Sequence, residues 1–219
     1  MTTVSRFSRS LAAGSLALGF LAAPVWAADA AAPTQAYAQL HGDPAGSYAV
    51  DSDHSGAQFT IGHAGVGLFT GAFGKVTGSY TFDPKDPKAS KADITIPVDS
   101  IETFLPARNT DLLAPPFFDA KAHPDMRFVS TRWVPRGRNG GLLYGNLTLR
   151  GVTRPVTFHV RLVGAGEVGY LPKPWGGYLT GFVATTTIDR TEFGMTAFGA
   201  GLGHDVRVRV DIEGVRSAS

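Results

Sequence analysis

The feature that most constrains the fold is a two-residue rhythm of apolar and polar side chains, repeated in short runs along most of the chain. Its clearest instance places Val206, Val208, Val210 and Ile212 against Arg207, Arg209, Asp211 and Glu213. Val156, Phe158, Val160 and Leu162 alternate in the same way with Thr157, His159 and Arg161. Ala92, Ile94, Ile96 and Val98 form another such row, as do Leu143, Leu147 and Leu149. Earlier in the chain, Phe59, Ile61 and His63 share one parity, and Val76, Gly78, Tyr80 and Phe82 another. Successive side chains of an extended strand point to opposite faces, so each run has one apolar face and one wet face.

Residues 47–51, 126–133 and 179–188 add to these runs, and the total predicted is about eight or nine strands. Turn-forming stretches such as Asp83-Pro84-Lys85-Asp86-Pro87 and Arg138-Asn139-Gly140-Gly141 separate them. Only residues 108–118 suggest a short helix. Without amphipathic helices between the strands, a parallel βαβ sheet is excluded, and the expected class is all-β and antiparallel. Closing such a sheet into a barrel removes its edges, and about eight strands leave an interior that side chains fill or that holds one small ligand. Alternation alone leaves a two-sheet sandwich open. An outer-membrane barrel fits the alternation too, but the apolar rows lack flanking aromatic girdles and the chain ends Arg216-Ser217-Ala218-Ser219.

The N-terminus reads as an export signal over residues 1–27. Arg6 and Arg9 precede an apolar run over residues 11–23, and small residues follow at Ala27, Ala28 and Ala30. That run is shorter than the roughly 20 residues of a membrane-spanning helix, so cleavage after Ala27 or Ala30 is expected. Loss of Arg6 and Arg9 leaves 18 basic residues against 18 acidic ones, so no basic footprint for nucleic acid remains. Residues 28–46, Ala-rich and aperiodic, are expected to form a flexible leader, and residues 47–215 a single domain in the periplasm.

Catalytic signatures are missing. The chain has no Cys, which excludes disulfides, Cys-based metal sites and thiol catalysis. The chain has no G-x-S-x-G elbow and no P-loop, and no dinucleotide fingerprint stands between a strand and a helix. His54 and Ser55 near Asp51 and Asp53 supply triad atoms, but neighbours on one strand face opposite ways, so they meet only in a turn. The six His residues include no H-x-H or H-E-x-x-H spacing, so neither a metal nor another cofactor is expected. His63, on the parity of Phe59 and Ile61, is expected to point inward as a polar interior group. Phe104, Leu105, Leu112, Leu113, Phe117 and Phe118 crowd a segment that also holds Arg108, Asn109 and Asp111. That composition suits a plug that caps the barrel, or equally a lid that admits a greasy ligand.

The ordered motifs of residues 48–213 resemble the YceI-like family of bacterial periplasmic proteins. They begin with Tyr48-Ala49-Val50-Asp51, His54-Ser55, Phe59 and His63, and continue through Gly71-Ala72-Phe73, Ser100-Ile101-Glu102-Thr103 and Phe117-Phe118-Asp119-Ala120. Gly145-Asn146-Leu147-Thr148-Leu149-Arg150-Gly151-Val152-Thr153-Arg154-Pro155-Val156 and Asp189-Arg190-Thr191-Glu192-Phe193-Gly194-Met195 complete the set. The resemblance implies an extended, lipocalin-like eight-stranded antiparallel barrel with a long apolar cavity. It also implies binding of a polyisoprenoid or related long-chain lipid, without catalysis. The family pattern has Arg-Asp before His-Leu in the central segment, where this chain has Arg108-Asn109-Thr110-Asp111-Leu112-Leu113.

On this basis the expected cavity lining is Phe59, Ile61, His63, Phe73, Ile94, Ile96, Phe128, Leu147, Leu149, Phe182 and Phe193. Arg108, Arg150 and Arg190 are candidates for an anionic head group. The expected partner is an isoprenoid quinone, a prenyl phosphate or another long-chain lipid, exchanged through transient membrane contact, and no oligomeric state is specified. Two other readings stay open: a structural or stress-response module with a filled core, and a metal- or haem-related accessory protein.

Overall fold

The computed structural model describes residues 41–137 and 139–217. The predicted signal segment and most of the predicted leader lie outside these residues. Eleven strands form one antiparallel sheet. The first six are β1 (Gly46–Val50), β2 (Gly56–His63), β3 (Gly67–Phe73), β4 (Thr77–Phe82), β5 (Lys91–Pro97) and β6 (Ile101–Glu102). The rest are β7 (Asp125–Pro135), β8 (Gly140–Leu149), β9 (Val152–Val168), β10 (Gly177–Asp189) and β11 (Leu202–Arg216). Helix α1 (Pro106–Leu113) lies between β6 and β7.

The pieces assemble into eight continuous paths. β1 runs into β2, β3 into β4 and β5 into β6, each pair separated by a short break. β2 and β3 make a hairpin whose arms extend downward as β1 and β4, with Gly46 opposite Phe82 and His63 opposite Gly67. Each later strand pairs with its predecessor as a simple meander, and β11 returns to pair with β2 and then with β1. The β1–β11 ladder, with Ala49 opposite Val215, closes the ring. Closure decides between barrel and sandwich: two stacked sheets would leave β1 and β11 as separate edges.

The three breaks sit side by side, at residues 51–55, 74–76 and 98–100. Gly74 N–H donates across them to the Ser100 carbonyl at 3.0 Å. Above this crease, β6 pairs with β3 alone, and residues 103–124 occupy the space between β6 and β7.

Helix α1 begins two residues earlier and ends five residues earlier than the predicted 108–118. Pro106 stands at its first turn, where a missing N–H costs nothing. Ala114 precedes Pro115 and is held extended with ψ of 164°, which stops the helix. The β8–β9 connection is a two-residue turn with Arg150 at φ 52° and Gly151 at φ 73°, the left-handed pair that matches strand twist.

Residues 41–45, the described end of the predicted leader, are fastened to the barrel. His41 N–H donates to the Ala165 carbonyl at 2.9 Å, Tyr48 donates its hydroxyl proton to the Pro44 carbonyl at 2.7 Å, and Asp43 pairs with Lys85 at 2.8 Å.

Candidate functional site

The apolar rows of the strands face one lumen, and that lumen is open. It encloses about 740 Å³ and is walled by alternate residues of β2, β5, β7, β8, β10 and β11. Many inward apolar residues, among them Phe59, Ile96, Leu147, Phe182, Val208 and Ile212, are only half-buried. In a filled core such side chains would meet one another across the centre.

Local sequence keeps the lumen clear. The Phe59 ring lies over Gly71, its cross-strand partner, so close that a Cβ on Gly71 would stand 2.5 Å from Cζ. Phe128 lies over Gly145 and Tyr80 over Gly214 in the same way. With glycine beneath, each ring lies along the wall instead of standing into the lumen.

The end bearing the β4–β5 and β9–β10 connections has a tyrosine floor. Tyr48, fully buried, stacks on Tyr80 with ring centroids 5.1 Å apart. The Tyr80 hydroxyl lies 2.6 Å from Thr180 Oγ1, and burial pushes its pKa well above the ordinary phenol value. Phe82 and Phe182 meet edge to face beside it at 5.2 Å.

The opposite end is the mouth. Leu112, Phe117 and Phe118 reach the lumen from the segment around α1, and Phe118 meets Phe73 edge to face at 5.5 Å. No residue of α1 itself is fully buried, whereas Phe117 just beyond it is, so the segment covers the mouth as a lid anchored at one side. Phe117 stacks on Phe198 at 5.7 Å, which ties the lid to the loop ahead of β11. Arg108 lies 4.3 Å above the Phe69 ring, a cation–π contact between the lid and β3.

The structure gathers most of the predicted lining. Phe59 and Ile61 on β2, Phe73 on β3, and Ile94 and Ile96 on β5 border the lumen. So do Phe128 on β7, Leu147 and Leu149 on β8, and Phe182 on β10. Phe193 does not: it is 1% exposed and packed in the core behind the wall. The alternation that places strand residues ends at Asp189, and Phe193 belongs to a 3-10 turn, residues 190–193, where parity does not apply.

His63 lines the lumen as predicted, although not as an interior group. It borders the lumen with inward parity but is exposed, because β2 ends there at the lip.

The three arginines divide. Arg108 is half-buried at the mouth beside Asp111. Arg190 also borders the lumen, yet it is 3% exposed and committed to the backbone. It donates to the carbonyls of Gly203 (2.8 Å), Leu202 (3.1 Å) and Met195, and so pins the loop that carries Phe198. Burial pulls its pKa below the ordinary guanidinium value, opposed by Asp189. Arg150 is not part of the wall. It donates to the Gly194 and Pro115 carbonyls, both at 2.7 Å, and braces the lid against the same loop.

Sequence reasoning missed Leu68, Phe69 and Phe198 at the mouth, and Phe158 and Val160 in the wall. The last two lie in a recognised apolar row; the first three lie in glycine-rich stretches without a period.

Chemistry suited to bond-making is sparse. Asp51 accepts from His54 Nδ1 at 2.8 Å, but the Ser55 hydroxyl is engaged with the backbone of Glu213, accepting its N–H at 3.0 Å. Asp51, His54 and Glu213 place one ligand-type atom each within 4.8 Å of one another, on the outside of the barrel. Asp51 raises the His54 pKa, and burial raises that of Glu213.

Comparison with known proteins agrees with this architecture. A family model for the YceI-like domain matches residues 48–214. A UPF0312 protein of Serratia proteamaculans is 35% identical over 175 residues, spanning 79% of this chain and 88% of that protein. Its counterpart in Pseudomonas aeruginosa is 34% identical over 174 residues, 78% of this chain and 88% of that protein. Among solved structures, Burkholderia cenocepacia BcnA superposes with a TM-score of 0.66 at 24% identity, covering 75% of this chain and 98% of BcnA. A Saccharophagus degradans domain described as polyisoprenoid binding superposes at 0.56 with 14% identity, covering 78% of this chain and 98% of that domain. From the family match over nearly all of the barrel and the relatives of similar length, this chain belongs to the YceI-like family.

Proposed function

We propose that the protein binds one long-chain isoprenoid or similar amphiphilic lipid inside the barrel and carries it through the periplasm, without chemical conversion. The observation that carries this reading is the open, apolar-walled lumen of about 740 Å³. At about 30 Å³ per water-sized group, that space accommodates about 25 carbon atoms, or about five isoprene units. The polarity of the solved Saccharophagus degradans domain's ligand class, a polyisoprenoid, suits the same kind of wall.

Burying hydrocarbon is worth about 0.8 kcal/mol per CH₂, so each five-carbon unit contributes about 4 kcal/mol gross against water. The competitor is the bilayer, where the tail is equally dry. A carrier therefore needs only to match the membrane, and a tighter site would not release its cargo. His63, Arg108 and Asp111 at the mouth meet the polar head, which stays at the lip. The N-terminal segment with Arg6, Arg9 and the following apolar run supports export to the periplasm.

Native mass spectrometry of the protein purified from its own periplasm, followed by organic extraction, tests the reading. One long-chain lipid per chain is expected, exchangeable for an added prenyl alcohol. An apo mass that stays unchanged with excess prenyl alcohol would show that the lumen has another use.

A further inference from the structure

The mouth carries an outward-facing apolar surface that the lumen does not require. Eight large apolar side chains are exposed among the described residues, and five of them surround this opening. They are Val66 and Leu68 at the β2–β3 tip, Phe104 and Leu105 ahead of α1, and Phe198 in the loop before β11. Their segments touch: Ala64 N–H donates to the Gly201 carbonyl at 2.8 Å, and Phe198 stacks on Phe117. Leu68 and Phe198 also line the lumen, so the apolar wall reaches the lip, where His63, Arg108 and Asp111 stand among them.

Two of these residues work against the fold that holds them. Phe104 is 86% exposed and Phe198 is 71% exposed, so neither gains much from burial. Both also have left-handed backbones, with φ of 59° and 64°. That region suits glycine or asparagine and disfavours a bulky side chain. Phe198 has an inward partner in Phe117, whereas a strained Phe104, 86% exposed, points to something outside the chain that covers it.

Charge and shape select the occupant. The lip is not basic: Glu102 accepts from Phe104 N–H at 2.5 Å, and Asp111 sits beside Arg108. Attraction to anionic head groups therefore does not drive docking. The five exposed apolar residues are knobs from three loops and stand among charged ones, a smaller set than the roughly 20–30 residues a side of a specific protein interface. Separate knobs penetrate a fluid without shape-matching.

We infer that this lip docks on an electrically neutral lipid bilayer, with Val66, Phe104 and Phe198 entering the acyl boundary. The lumen wall then meets hydrocarbon directly, and a lipid tail passes between them without crossing water. This rests on the carrier reading but is tested apart from it.

The test is flotation of the purified protein with phosphatidylcholine vesicles, beside variants Phe104→Gly and Val66→Ser, neither of which lines the lumen. Vesicle association is expected, insensitive to salt. Phe104→Gly should weaken it about tenfold or more, the effect of one lost aromatic burial. The same variant should raise Tm by about 2–4 °C, because glycine takes the left-handed backbone freely. Val66→Ser should weaken association less, and both variants should bind a fluorescent prenyl probe as before.

Absence of vesicle association would overturn the inference. So would unchanged association of both variants, or association that needs phosphatidylglycerol and dissolves in salt. Vesicle association that responds to the variants while the lumen takes no prenyl probe would sink the carrier reading and leave the docking surface standing.

Discussion

Replacing Gly71 with alanine tests whether glycines keep the barrel interior vacant. The added Cβ would lie 2.5 Å from Cζ and 2.8 Å from Cε1 of Phe59. Non-bonded carbons rest at about 3.5–4.0 Å, so the ring tip has to move by about 1 Å or more. All three nearest atoms belong to that one ring, and no backbone atom is among them. Phe69 and Phe73 flank the ring along β3, with centroids 6.3 and 5.7 Å away, so the ring yields by rising off the wall into the lumen.

Overpacking of this kind costs about 1–3 kcal/mol. In a Phe59→Ala background the obstruction is gone, and alanine in place of glycine inside a strand should instead stabilise by about 0.5–1 kcal/mol. The sign of the Gly71→Ala effect thus reverses between backgrounds, with a coupling of about 2 kcal/mol or more. Urea unfolding of the four proteins measures it, provided the m-value stays constant. A fluorescent prenyl probe should bind Gly71→Ala more weakly than the parent, since the raised ring takes lumen space, and the double variant should recover. An equal cost of Gly71→Ala in both backgrounds, within about 0.5 kcal/mol, would refute the argument.

Arg190→Lys should destabilise nearly as much as Arg190→Met, by about 3–5 kcal/mol in urea unfolding, because an ammonium cannot span the three carbonyls the guanidinium holds. The Asp51 hydrogen bond raises the His54 pKa, with Glu213 and Asp53 acting in the same sense. A raised histidine pKa contributes stability that is fully present below the unfolded value, near 6.5, and is lost as pH rises through the folded value. An NMR titration of His54 should therefore show a midpoint above that of the unfolded chain, and Asp51→Asn should lower it and flatten the dependence of stability on pH.

The alternating rows made the barrel strands legible because an exposed outer face and an apolar inner face impose opposite chemistry on neighbouring residues. The row from Val206 to Ile212 sits in β11 with its apolar members on the lumen, as its parity requires. β3 carried no such signal. Gly67 and Gly71 lie within it and Gly65 and Gly74 flank it, and a glycine belongs to neither face. Its Leu68 and Phe69 were lost with it. The fate of the arginines was hidden for another reason: a guanidinium that braces backbone carbonyls and one that meets a ligand use the same donors, and only tertiary geometry separates them. Phe193 marks the limit of parity itself, which ends where a strand ends, and His63 keeps its parity but loses its cover at the strand's last residue.

The crease through residues 51–55, 74–76 and 98–100 has a mechanical consequence. An unbroken ring of ladders resists widening everywhere at once, since enlarging its girth stretches every strand pair. Here three of the eight paths are interrupted along one line, where isolated bonds such as Gly74 N–H to Ser100 and Asp51 N–H to Glu213 replace the ladders. Above it β6 pairs with β3 alone and reaches β7 through residues 103–124. Bending along that line would therefore widen the rim at less cost than stretching the girdle below, which keeps its circumference.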